Sequence, residues 1–179
     1  MNISIFKNEL ASGGARKNLF RVDGIFPGES VAAAAGINPS NKIRFLVKAA
    51  SLPETKLGTV KVPFQGRMLK LAGDRDFPAW SVTVYNDNDF SLRNAFERWS
   101  DIMNRIETNT GRNALSSYAF DWTVTQLDRE GNEVKKYSFI DCWPSDISDI
   151  ALDQNPTTDI ETFTVTINYQ YYRSLGTTS

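Results

Sequence analysis

The stretch WSVTVYNDNDFSLRNAFERWSDIMNRI, residues 80–106, decides the fold class because it holds a strand pattern followed directly by a helix pattern. Residues Trp80 to Tyr85 alternate and are rich in β-branched and aromatic types, which predicts a half-buried β-strand. The Asn and Asp residues at 86–89 then end the strand. Asp89 or Ser91 is expected to cap the helix that follows, since a side-chain oxygen there can accept its free amide groups.

The helix pattern is an apolar stripe with steps of three and four residues between Leu92 and Ile106. Such spacing places the apolar side chains on one face and leaves the charged ones to solvent. We therefore predict one flanking amphipathic α-helix packed on a sheet. The stripe consists of Leu92, Ala95, Phe96, Trp99, Ile102, Met103 and Ile106.

Outward from this stretch, further strand patterns predict a mainly β (α+β) fold with a β-sandwich or β-barrel-like subunit. A strand is expected over Ile43–Ala49, with Ile43 and Phe45 on one face. Two short strands around Pro63 and Gly66 predict a hairpin with Val60 and Val62 on one strand and Leu69 and Leu71 on the other. A second hairpin is expected over 118–127 and 134–143.

The last strand pattern is unusually long. It runs from Ile160 to Arg173 and, at about 3.3 Å per residue, predicts a strand of roughly 45 Å. Its polar positions are Thr, Asn and Gln, which suits the wall of a water-filled structure as well as the solvent side of an ordinary sandwich.

Composition excludes several function classes. The 179 residues carry 20 basic and 21 acidic side chains without a basic stripe, so a nucleic-acid-gripping surface is not indicated. No histidine is present and Cys142 is the single cysteine, which excludes Ser-His-Asp catalysis, His-ligated metals and multi-cysteine zinc sites. No membrane span or secretory signal is expected. Residues 1–179 are predicted to form one domain, with an N-terminal arm (1–17), a flexible loop (28–42) and a tail (174–179).

No cofactor or metal site is predicted. Asp74, Asp76, Asp87 and Asp89 bound a strand, where Asp favours turns, and they lack the spacing of a calcium loop. Three of the four tryptophans fall on apolar faces and are expected in the core, which leaves only Trp143 open as a stacking residue. Cys142 is expected to be buried and inert.

Several motifs occur in an order and spacing that resembles the tail tube proteins of contractile-tailed bacteriophages, and the resemblance spans most of residues 18–173. These motifs are NLFRV (18–22), AASLP (49–53), FQGR (64–67), GDR (73–75), WSVTVYND (80–87), FERW (96–99), FIDCWP (139–144) and YQYY (169–172).

The resemblance implies a structural virion protein rather than an enzyme. Six copies would form a ring whose strands join into one barrel around a lumen, and rings would stack helically into the tail tube that conducts DNA during ejection. The implied partners are further copies of the chain, the tail sheath protein, baseplate or tube-initiator proteins, a tail terminator, and genomic DNA passing non-specifically. The implied location is the virion tail, assembled in the bacterial host cytoplasm.

Two sets of candidate site residues follow. Because DNA adheres to basic linings through counterion release, the neutral face of the last strand is the candidate lumen lining, formed by Thr162, Thr164, Thr166, Asn168 and Gln170. Because the equivalent hairpin of the family reaches a neighbouring ring, the candidate ring-to-ring contacts are Lys56, Lys61, Arg67 and Lys70.

Three alternatives stay open from the sequence. A tailocin or type VI secretion tube protein belongs to the same structural class and would be separated by the genes beside its own. A ligand- or sugar-binding β-sandwich using Trp143 would be a monomer that binds glycans. An enzyme built on Asp and Lys is the third.

Overall fold

β-Strands form most of the regular structure in a computed structural model that describes residues 2–9, 13–28, 38–154 and 158–175. The helices within these ranges are α1 (Ile3–Glu9), α2 (Pro39–Leu46) and α3 (Ser91–Met103), with a 3-10 turn at Leu115–Ser117. The strands are β1 (Phe20–Gly24), β2 (Val47–Ala50), β3 (Lys56–Phe64), β4 (Arg67–Asp76), β5 (Trp80–Tyr85), β6 (Phe120–Leu127), β7 (Glu133–Ile147), β8 (Thr162–Asn168) and β9 (Tyr171–Ser174). The prediction of a mainly β fold is confirmed.

One seven-stranded antiparallel sheet has the order β1-β6-β7-β8-β5-β2, and β9 pairs with β7. The first half of β7 lies between β6 and β9, whereas its second half pairs with β8. Between the halves, Asp141 has a φ of 55° and its backbone N–H donates to Asp121 Oδ1 at 3.0 Å. This bend folds the sheet into two layers, in which Trp80 of β5 stacks on Phe139 of β7 with ring centroids 4.3 Å apart.

Helix α3 confirms the strongest helix prediction. Its stripe closes one side of the sandwich, where Phe96 contacts Phe163 of one layer and Trp122 of the other, at centroid distances of 6.2 and 6.0 Å. Ile106 was wrongly included: the helix ends at Met103 and Ile106 is 92% exposed.

The start of α3 differs from the prediction. Neither Asp89 nor Ser91 caps it; the N-cap position is Phe90, in the left-handed region at φ 52°. The free amide of Ser91 instead donates to Asp87 Oδ1 at 3.2 Å. Asp87 also pairs with Lys42, so the cap ties α2 to α3.

Three buried tryptophans confirm the core prediction, and in each the indole N–H donates a hydrogen bond to a backbone carbonyl. The indole N–H groups of Trp80, Trp99 and Trp122 donate to the backbone carbonyls of Ser51, Tyr118 and Ile25 at 2.7, 2.7 and 3.1 Å. A buried indole N–H without a partner would be costly, so these bonds allow the rings to fill the core.

The predicted strand over Ile43–Ala49 is wrong in its first half. Residues Pro39–Leu46 form α2, because Pro39 suits the first helical turn and the Asn38 side chain accepts the Ser40 N–H at 3.0 Å. Ile43 is buried whereas Phe45 is 83% exposed, so the two do not share a face. Only Val47–Ala50 forms a strand.

The long last strand is also corrected. It divides into β8 and β9 because its partner β7 bends: β8 pairs with the second half of β7 and β9 with the first half. Gln170 lies in the link, where its backbone N–H donates to Ile140 O at 3.0 Å.

Both predicted hairpins are present, as β3–β4 and β6–β7. The first turns at Gln65-Gly66, both with positive φ, as a two-residue turn requires. Tyr118 precedes β6 rather than joining it.

Two segments expected to lack structure contain helices. The N-terminal arm includes α1, and the loop predicted over 28–42 includes the start of α2. Residues 29–37, and the tail beyond residue 175, lie outside the described residues. No helix in the described ranges is long and apolar enough to cross a membrane.

Candidate assembly surfaces

The β3–β4 hairpin stands apart from the sandwich. Among the residues that the structure describes, its two strands pair only with each other, and all their residues are exposed except half-buried Gly73. A two-stranded hairpin without a third strand or a helix behind it is at best marginally stable in water. Within the described part of the chain, the hairpin therefore lacks the third strand or helix that would stabilise it.

One face of this hairpin is apolar. Cross-strand partners share a face, which places Val60 beside Leu71 and Val62 beside Leu69. With their neighbours on the same face they form a set that is 40% to 68% exposed, and we name it the apolar hairpin face. Its members are Val60, Val62, Phe64, Leu69 and Leu71.

The four basic residues predicted as ring-to-ring contacts all lie on this hairpin but not together. Lys61 and Lys70 are directly opposite each other on the second face, which we name the lysine face. Lys56 lies at the base, where its Nζ is 3.5 Å from Asp76 Oδ2. Arg67 pairs with Phe64 at the turn, beside the apolar hairpin face.

Four of the five candidate lumen residues form a row on β8. They are Thr162, Thr164, Thr166 and Asn168, which alternate with core residues and are half-buried. Thr164 lies opposite Thr83 of β5, with the hydroxyl oxygens 3.2 Å apart. Gln170 does not join the row because it sits in the β8–β9 link. The paired positions of β5 on this face are Ser81, Thr83 and Tyr85.

The threonine row itself carries no charge, and charged residues lie at its borders. Lys48 Nζ of β2 is 5.6 Å from the ring centroid of Tyr85, and exposed Asp146 of β7 lies opposite Thr166. The outer face of the other layer is different. There Arg21 donates to Asp23 at 2.9 Å and to Glu133 at 2.7 Å, and the Asp23 bond raises the pKa of Arg21. The two outer faces of the sandwich are therefore electrostatically distinct.

Chemically reactive groups are buried or dispersed. Burial raises the pKa of the Cys142 thiol to about 12, so it stays protonated and a poor nucleophile. Trp143 is half-buried against the core and borders, with Met103 and Tyr118, a depression of about 290 Å³. Among the described residues, no group of three or more Cys, Asp or Glu is placed to hold a metal ion.

Two surface features were missed by the sequence reasoning. Helix α1 exposes Ile3, Ile5 and Phe6 at 61% to 70%, although its segment was predicted only as an N-terminal arm. The apolar hairpin face extends to Phe64, beyond the residues singled out in the sequence. The signal for the second was present, because apolar residues alternate over 60–64 and 69–71.

Comparison with known proteins identifies the family. The family profile described as phage tail tube protein matches residues 15–175. The tail tube protein gp19 of Enterobacteria phage T4 is 29% identical over 159 residues, covering 88% of this chain and 90% of that protein. The tail tube protein of Serratia phage KSP90 is 27% identical over 169 residues, covering 93% of each.

Solved structures show the same fold at low identity. A chain of the anti-feeding prophage baseplate superposes with a TM-score of 0.64 at 15% identity, covering 91% of this chain and 96% of that one. A chain of the sheath-tube complex of an extracellular contractile injection system has a TM-score of 0.57 at 12% identity, covering 93% and 95%. Because the family profile matches most of this chain, the chain belongs to the phage tail tube protein family.

Proposed function

We propose that this chain assembles into hexameric rings that stack helically into the inner tail tube of a contractile phage, the conduit through which DNA is ejected into the host. The tail tube proteins of phages T4 and KSP90 support the tail assignment. The observation that carries self-assembly is the apolar hairpin face, which nothing in the described chain covers.

Burying this face supplies a driving force for assembly. Removing the exposed part of such side chains from water is worth on the order of 1 kcal/mol each. Five of them per copy, together with the ordering of a hairpin that is marginal alone, link folding of this element to contact with a neighbour. In the proposed polymer, a second copy of the chain would cover the apolar hairpin face.

Free strand edges favour ring closure. In the layer that carries the threonine row, β2 is one end and the second half of β7 is the other, and each has one side without a strand partner in the described chain. We propose that β2 of one copy pairs with β7 of the next. A closed ring of six removes these edges and forms a continuous lumen barrel, while its two different faces allow axial stacking.

The proposed closure of the ring also determines which residues would line the lumen. Thr162, Thr164, Thr166 and Asn168 are proposed to face the lumen, together with Gln170 of the β8–β9 link, because neutral side chains let duplex DNA slide. The ring-to-ring contacts are proposed on the β3–β4 hairpin and include Lys56, Lys61, Arg67 and Lys70.

The proposed partners are further copies of the chain, the tail sheath, the baseplate or tube initiator, and a tail terminator. Support comes from fold neighbours found in a baseplate, a sheath-tube complex and a tube-terminating cap. The proposed place of assembly is the host cytoplasm, and the finished location is the virion tail. The role is structural, and no reaction is proposed.

Negative-stain electron microscopy of the purified protein across concentration, paired with light scattering, tests the assembly. We expect hollow tubes of uniform width. Val62→Asp should abolish them, because it places a charge within the apolar hairpin face. The matched control is Val134→Asp, at a valine of the sandwich that is 58% exposed, and it should assemble normally.

Two results would contradict the proposal. A chain that stays monomeric at every concentration would remove the evidence for self-assembly and favour a ligand-binding sandwich. Tubes formed equally well by Val62→Asp would show that the hairpin is not the contact.

A tube protein of a tailocin or another contractile injection system remains the second candidate, favoured by the fold neighbours from such systems. Phage head genes beside the gene would decide for the phage, and their absence for the injection system.

A further inference from the structure

The lysine face contains two like charges in direct opposition. Lys61 and Lys70 are cross-strand partners and both are exposed. Side chains directly opposite in an antiparallel pair have Cβ atoms about 5 Å apart, so the two ammonium groups repel each other. In a hairpin that is already marginal, this pair opposes ordering.

No ion pair within the described ranges balances the charge of this pair. Neither Lys61 nor Lys70 has an ion pair with any described residue, whereas Lys56 on the same hairpin is paired with Asp76. An oxygen anion placed between the two ammonium groups would reverse the sign of their interaction, because each lysine would then donate to it.

We propose that the Lys61–Lys70 pair is a carboxylate-binding site filled by an acidic side chain of a second copy of this chain. The proposal rests on the proposed assembly and deepens it, since it assigns a defined chemistry to two of the four candidate contacts. The site forms only between copies, and its occupation orders the hairpin.

Two observations favour a second copy as the occupant. The apolar hairpin face lies directly behind the lysine face, so a hairpin seated against protein brings both lysines to the edge of that contact. The chain also supplies complementary charge: Asp121, Asp141 and Asp146 have no ion pair among the described residues, and Asp121 and Asp146 are exposed.

Lysines on an exposed strand have two other roles to be tested against this one. They can prevent aggregation through an exposed strand edge, or they can bind phosphate groups of DNA. Each role predicts a different response to charge reversal.

The first experiment compares charge-reversal variants in tubes. Lys61→Glu places opposite charges across the hairpin, which stabilises it in the single chain, yet it removes half of the site. We expect the critical concentration for tube formation to rise at least tenfold, although amide exchange in the hairpin of the monomer slows. Arg129→Glu makes the same charge change at an exposed residue in the β6–β7 turn and should assemble as the wild type does.

Three outcomes would overturn the proposal. Lys61→Glu assembling at or below the wild-type concentration would mean that hairpin order alone matters. Normal assembly of the double variant Lys61→Glu/Lys70→Glu would indicate that the two charges serve only to prevent aggregation. Normal assembly with loss of DNA binding by the tubes would indicate a phosphate site.

The second experiment identifies the partner directly. Tubes formed from equal amounts of ¹⁵N-labelled and unlabelled chains are treated with a carbodiimide, which joins an amine to a contacting carboxylate without a spacer. We expect mixed-isotope peptides that link Lys61 or Lys70 to an Asp or Glu of another copy. Tubes without such links would overturn the inference and leave the tube assignment standing, whereas a chain that forms no tubes would contradict the proposed function itself.

Discussion

Gly24 shows how tightly a single residue is constrained. A methyl group added there would lie 2.4 Å from Cε2 of Trp122, whose ring is fully buried and held by its N–H bond to Ile25 O. We expect Gly24→Ala to lower the free energy of unfolding by about 1–3 kcal/mol, the usual cost of overpacking a core. Urea unfolding measures it, and Gly14→Ala, which has no atom within 4 Å of the added carbon, should change little.

Cys142 and Tyr169 predict a pH dependence. Burial raises the pKa of Cys142 from 9.0 to about 12 and that of Tyr169 from 10.0 to about 12. Both groups are neutral below their unfolded pKa values, so their contribution to stability is fully present there. As the pH rises past about 9, the unfolded chain loses protons first, and the free energy of unfolding falls until the folded groups also ionise.

Urea unfolding at a series of pH values checks this dependence. Cys142→Ala should remove the earlier part of the decline, between the ordinary pKa values of a thiol and a phenol, while the part due to Tyr169 remains. A decline that begins at the same pH in both proteins would contradict the assignment to Cys142.

At the scale of elements, the joint between α2 and α3 depends on Asp87. Its carboxylate accepts the Ser91 N–H at 3.2 Å and the Ser91 hydroxyl at 2.9 Å and pairs with Lys42. Asp87→Ala removes all three interactions and leaves a largely buried ammonium group without its main partner. We expect the free energy of unfolding to fall by about 2 kcal/mol.

Asp89→Ala is the matched control for this joint. Asp89 is 67% exposed and lies 3.8 Å from the same Lys42 nitrogen. Screening by water makes such a contact weak, so the change should be within about 0.5 kcal/mol. Equal losses in the two variants would show that charge near Lys42, rather than the cap, holds the joint.

How much of the fold could be predicted depended on whether the deciding contact was local. The stripe of α3 and the alternation of β5 are local periodicities, and both were predicted correctly. The segment 43–46 also alternates, but the Asn38 side chain and Pro39 start a helix there, and four residues carry too little periodicity to separate the two states. The division of β8 from β9 depends on the bend in β7, about 20 to 30 residues away in sequence, which no local pattern reports.

The candidate surfaces follow the same rule. The alternation of β8 alone placed Thr162, Thr164, Thr166 and Asn168 on one face. The hairpin was also predictable, and with it the opposition of Lys61 and Lys70 once the turn is placed at Gln65-Gly66. The separation of the hairpin from the sandwich could not be predicted, because the sequence of the two strands does not show which other elements they fail to contact.

Across the whole molecule, the large apolar side chains fall into a buried set and an exposed set. The sandwich buries Trp80, Trp99, Trp122 and the residues around them without outside help. The hairpin and α1 instead keep large apolar side chains at 40% to 70% exposure. In the proposed assembly, these exposed side chains are the ones that contacts between copies would bury.

The difference between the two outer faces of the sandwich predicts which one DNA meets. Thr164→Lys adds a cation to the neutral row in all six copies of each proposed ring, and phosphate groups would bind it with counterion release. In virions built with this variant we expect triggered DNA ejection to slow several-fold at low salt and to recover as salt rises. Thr123→Lys, in β6 on the charged face of the other layer, is the control and should leave the rate unchanged. The reverse result would assign the lumen to the β1-β6-β7-β9 layer and the threonine row to the outside of the tube.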